Sequence, residues 1–119
     1  MTPFGAKMRE LRAARELTLR RLAEDLQISA AYLSALEHGK RGLPRQMLVL
    51  QIVTYFELGW EEQEELEALI RLSDPRVTVD TSGLNPKATE LANRLAYSIR
   101  QLPEDAVNRV LHALQNEGK

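Results

Sequence analysis

The chain has 119 residues, 44% of them apolar, and a net charge of −1, a size that holds one core with a small appendage and excludes two full domains. The near-neutral total hides a split, with nine Lys and Arg against five Asp and Glu in residues 1–45 (net +4) and a net −5 in the remainder. Such a basic head confines attraction for phosphate to one region, while the absence of cysteine and the wide separation of His38 and His112 exclude a disulfide framework or a thiolate site and argue against a metal centre.

Thr2-Pro3 supplies a helix cap followed by proline in the first turn, predicting a helix to about Ala14 with Met8 and Leu11 inward. Thr18 and Ser29 each stand just before an apolar-periodic run, where a hydroxyl can accept a free backbone N–H of the first turn. The close spacing of these two starts predicts two short helices joined by a tight turn. Leu22, Ala23, Leu26, Ile28, Leu33 and Leu36 fall where one apolar stripe of each helix meets the other. Gly39 to Leu43 reads as a glycine-flanked basic loop. Pro44 or Arg45 opens a fourth helix through about Phe56, ended by Gly59, and Glu61 to Leu72 forms a fifth, stopped by Asp74-Pro75.

Beyond this five-helix head, residues 1–73, Arg76 to Asp80 alternates and is β-branched, which predicts a short edge strand. A lone strand needs a partner, and the same strand of a second subunit is the economical one. Asn85-Pro86 then caps a helix carrying Leu91, Leu95 and Ile99, and Pro103 starts another carrying Val107, Val110, Leu111 and Leu114. Two such stripes make a helical hairpin too small to cover both faces alone. Residues 74–119 therefore read as a dimerisation module, with Val77 and Val79 on the strand, ahead of the alternative of a monomeric hairpin folded back on the head, and the whole chain reads as an all-α protein.

The stretch from Leu17 to Arg45 resembles the helix-turn-helix of the Xre family, the lambdoid phage repressor and Cro type. Ala23 stands at the small residue where the two helices touch, Leu33 at the buried aliphatic of the recognition helix, and Ser34-x-x-Glu37-His38-Gly39-Lys40 at the segment that ends it. Two residues depart from the pattern. Leu19 replaces a glutamine that braces a phosphate, and Gln27 replaces the glycine of the turn, where a positive φ costs about 1 kcal/mol in other residues.

This resemblance implies that the recognition helix enters the DNA major groove with Ser29, Ala30, Ala31, Ser34 and Ala35 toward the bases, and with Tyr32 and His38 as the larger candidates. None of the five can grip guanine or pair with adenine as Arg, Asn or Gln does, so DNA shape is expected to carry much of the selectivity. Lys40, Arg41 and Arg45 match positions that approach the phosphate backbone, and Arg20 is a weaker candidate. Arg12 and Glu37 match an ion pair that ties the first helix to the end of the recognition helix, a structural role.

The expected function is a homodimeric, sequence-specific transcriptional regulator, most simply a repressor that occupies a pseudo-palindromic operator in double-stranded DNA. An antitoxin or other adaptor, in which the tail docks a toxin and the head regulates its own promoter, stays open, as does a nucleoid-type binder with little base preference. The acidic run from Glu57 to Glu67 reads as a solvated face before it reads as a contact for a basic partner such as polymerase. No nucleophile–base pair, glycine-rich phosphate loop or metal cluster points to an enzyme, and no cofactor is implied. No apolar run is long enough to span a membrane, and a cytoplasmic setting is expected.

Overall fold

The computed structural model describes residues 1–117 and holds, among them, seven helices and no strand: α1 (Pro3–Ala14), α2 (Leu19–Leu26), α3 (Ala30–Glu37), α4 (Gln46–Tyr55), α5 (Trp60–Arg71), α6 (Pro86–Ser98) and α7 (Glu104–Glu117). They fall into two compact units, Met1–Val77 with α1 to α5, and the segment from Thr78 with α6 and α7.

The caps read from the sequence form. Oxygens of Thr2, Thr18 and Ser29 each accept the N–H three residues on, from Gly5, Arg21 and Tyr32, at 3.0 Å, and Asn85 Oδ1 accepts Ala88 N–H at 2.9 Å. Each such cap is worth about 1 kcal/mol. Gln27 ends α2 in the left-handed region, with φ 61° and ψ 40°. That turn lets Ile28 N–H reach back to Ala23 O at 3.0 Å and starts α3 within three residues. α4 ends at Tyr55 with Phe56 as its C-cap, close to the expected boundary, and the residue that turns the chain there is Glu57, with a positive φ of 53°, rather than Gly59. Gly59 instead precedes α5, and the Glu62 carboxylate accepts its N–H at 3.2 Å.

In the first unit α1 packs on α3 and α5, and α2 on α3 and α4. The core they enclose includes Phe4, Met8, Leu22, Ala23, Leu26, Leu33, Leu36, Ile52 and Leu66. Burying each of the large members is worth about 1.5–3 kcal/mol. α1 approaches the end of α3 so closely that a Cβ on Gly5 would lie 2.1 Å from the Glu37 carbonyl oxygen. The same oxygen accepts both the N–H and the hydroxyl of Thr2, at 3.0 and 3.1 Å. At this same end of α1 the buried Ser73 hydroxyl accepts Phe4 N–H at 2.9 Å and donates to Leu69 O.

The edge strand expected over Arg76 to Asp80 does not form. Among the described residues this segment pairs with no other, and side chains occupy nearby backbone donors. Asp74 Oδ1 accepts Arg76 N–H, and Asp80 Oδ1 accepts Ser82 N–H, both at 2.9 Å. Val77 and Val79 stand exposed in an irregular segment.

In the second unit neither α6 nor α7 holds a buried residue. Leu91, Leu95, Ile99, Val110, Leu111 and Leu114 are each between 38% and 61% exposed. The two amphipathic stripes thus leave about half of these side chains in water.

Candidate nucleic-acid interface

The site is built on α3. Leu33 and Leu36 anchor one side of the helix in the core, and this fixes which residues turn outward. Ala31 is exposed, Ser34 and Ala35 are half-buried, and Ala30 is half-buried and packed against the core. Ser29 closes the N-terminus through its bond to Tyr32 N–H. His38 caps the other end, where its Nδ1–H donates to Ser34 O at 2.9 Å, turning the ring back along its own helix.

After α3 the chain turns at Gly39, whose φ of 74° favours glycine, and it exposes Lys40 and Arg41 before Pro44 is buried and Arg45 emerges ahead of α4. The Arg41 guanidinium lies over the Tyr32 ring at 5.8 Å from its centroid. This pair was not visible in the sequence, since Tyr32 and Arg41 belong to different elements and no spacing rule links them.

The arginines divide by what they already hold. Arg12 Nη2 lies 3.1 Å from Glu37 Oε1 and 3.3 Å from Oε2, which is the tie between α1 and the end of α3 that the resemblance implied. Burial pushes the Glu37 carboxyl above its ordinary range, and the Arg12 charge opposes that shift without cancelling it. Arg21 Nε donates to Asp25 Oδ2 at 3.2 Å, and the Tyr55 hydroxyl donates to the same oxygen at 2.6 Å. The Tyr55 hydrogen bond first, and Arg21 second, hold the Asp25 carboxyl below the usual carboxylate range. Arg15 Nη1 donates to Tyr55 O at 3.1 Å. Arg20, Lys40, Arg41 and Arg45, by contrast, are exposed and carry no ion pair among the described residues. Arg9, Arg71 and Arg76 are likewise exposed and outside any ion pair among the described residues, so what sets Lys40, Arg41 and Arg45 apart is their place in and just beyond the loop that follows α3.

Two capped helices meeting through Ala23 and a left-handed turn, with an unpaired basic loop behind the second, define the motif. Residues 3–69 match the model of a helix-turn-helix domain family. The chain is a helix-turn-helix protein. Over 61 residues, 51% of its length, it is 41% identical to an uncharacterized HTH-type transcriptional regulator, RghRB, of Bacillus subtilis, and 36% identical to the HTH-type transcriptional repressor RghR of the same organism. The matches cover 44% and 45% of those relatives, so the helix-turn-helix protein shares with them less than half of their length. No solved structure matches it significantly. No helix among its described residues is long and apolar enough to cross a membrane.

Proposed function

We propose that the chain is a homodimeric transcriptional regulator, most simply a repressor, whose two α3 helices enter successive major grooves of a pseudo-palindromic operator. The DNA-binding part of this reading is supported by the family and by relatives named as HTH-type regulators. The homodimer rests on the observation that carries most weight, the apolar stripes of α6 and α7, on which no described residue is buried. Two such hairpins packed about a twofold axis would make a four-helix bundle and remove Leu91, Leu95, Ile99, Val107, Val110, Leu111 and Leu114 from water. Val77 and Val79 take no part in it as a strand. A bundle of this kind fixes the separation of the two heads, and half-sites about 34 Å apart suit one face of B-DNA.

In the complex Lys40 and Arg45 hold phosphates, Arg20 adds a weaker contact, and Ser29, Ala31 and Ser34 approach the base edges. Bound over a promoter, the dimer excludes polymerase. Such a protein works in the cytoplasm and needs neither catalysis nor a cofactor.

Sedimentation and footprinting on duplexes selected from random DNA test the reading together. A dimeric mass and two protected half-sites one helical turn apart are expected. A monomeric mass, or tight association of the tail with a small unrelated protein and no dimer, would overturn the homodimer and favour the adaptor. Equal affinity for selected and scrambled duplexes at one salt concentration would overturn the operator.

A further inference from the structure

We propose that Tyr32 positions Arg41 to read a guanine in each half-site, so that a loop arginine supplies the base contact the recognition helix lacks. This rests on the operator reading above. The outward residues of α3 are Ala31, Ser34 and Ala35, and His38 has turned its Nδ1–H onto Ser34 O. None offers the bidentate donor that guanine O6 and N7 select. The guanidinium attached to α3 comes instead from outside it, laid over the Tyr32 ring at 5.8 Å.

The position of that ring matters, because Tyr32 lies in the first turn of α3, with its N–H bonded to the Ser29 cap at 3.0 Å. This is the end of a recognition helix that meets base edges. A guanidinium held over a ring face by its charge spends no N–H on that contact, and Arg41 carries no ion pair among the described residues, so its N–H groups stay open to a guanine.

Other arginines of the head show the contrast. Arg15 also lies over aromatic rings, at 5.9 Å from Tyr55 and 5.1 Å from Phe56, but spends Nη1 on Tyr55 O. Arg12 and Arg21 are held by Glu37 and Asp25. Arg45 is free but has no aromatic ring to orient it, which suits a phosphate contact. Arg41 is the one that is both oriented by a ring and uncommitted among the described residues.

Selection from random duplexes, repeated with Arg41→Ala, Tyr32→Leu and Tyr32→Phe, tests this. The wild-type chain should select a guanine at one position in each half-site. Arg41→Ala and Tyr32→Leu should each reduce discrimination at that position about tenfold or more, while Tyr32→Phe, which keeps the ring, retains it. Tyr32→Leu preserves apolar bulk, and its helical circular dichroism and unfolding midpoint should stay near those of the wild type. Loss of affinity in Arg41→Ala that is uniform across sequences, with a log–log salt slope smaller by about one, would mark a phosphate contact and overturn the proposal. Guanine preference kept in Tyr32→Leu would overturn the positioning role. A wild-type chain that selects no sequence at all refutes the operator itself, and this inference with it.

Discussion

Gly5→Ala is the substitution for which ordinary helix propensity and this structure predict opposite signs. Gly5 lies inside α1, where alanine is favoured over glycine by about 1 kcal/mol on propensity alone. Here the added Cβ would lie 2.1 Å from Glu37 O, 2.8 Å from its carbonyl carbon and 2.9 Å from its Cα. All three atoms are backbone, so no side chain can swing aside, and α1 must move away from the end of α3. That movement stretches the two hydrogen bonds from Thr2 to the same oxygen, each worth about 1 kcal/mol. Overpacking adds about 1–3 kcal/mol, and after the propensity gain the net loss is about 2–4 kcal/mol. For a unit of this size 1 kcal/mol corresponds to about 4–8 °C, so the unfolding midpoint should fall by about 8 °C or more. Urea and thermal unfolding followed by far-ultraviolet circular dichroism measure it. A variant as stable as the wild type, or more stable, would refute the close approach of α1 to α3.

Gln27→Gly removes the cost of a left-handed φ at the end of α2 and should stabilise the head by about 0.5–1 kcal/mol, read as a higher urea midpoint at unchanged slope. Glu37→Gln should alter how stability depends on pH. The folded state holds the Glu37 proton more tightly than the unfolded chain does, so the stability this contributes is complete below the ordinary value of 4.5 and is lost as pH rises through the higher folded value. The midpoint of the wild type relative to Glu37→Gln should therefore fall across that interval, and a difference that stays flat or rises would contradict the direction of the shift. Arg45→Ala should weaken all duplexes about equally and lower the log–log salt slope by about one, without changing which bases are selected.

Much of the head was readable because its signals are local. Thr2, Thr18, Ser29 and Asn85 announce helix starts by residue type alone, and each forms the expected cap. Gln27 adopts the positive φ that its place in the motif demands, at the cost expected for a residue with a Cβ. Contacts between distant residues were not readable. Nothing in the sequence says that Gly5 faces a backbone carbonyl, that Ser73 is buried, or that Tyr55 and Asp25 share a hydrogen bond, because these depend on how helices cross. The Tyr32–Arg41 contact was hidden for the same reason, although both residues stood separately among the candidates. The missing strand shows the converse. Alternation over Arg76 to Asp80 is a genuine β pattern, but pairing is a property of two segments, and in the single chain the Asp74 and Asp80 side chains hold this stretch in turns.

The Ser73 hydroxyl also bears on the order of folding. By joining Phe4 N–H to the end of α5 it closes a loop of 69 residues, whereas the α2–α3 pair is formed by neighbours in the chain. Loop-closure entropy grows with that separation, so the short hairpin of the reading motif is the natural early unit, and the seam between Phe4 and Ser73 the late one. The family match ends at residue 69, four residues before the hydroxyl that fastens the seam. A head cut at the limit of the match would keep its recognition helix and lose its latch.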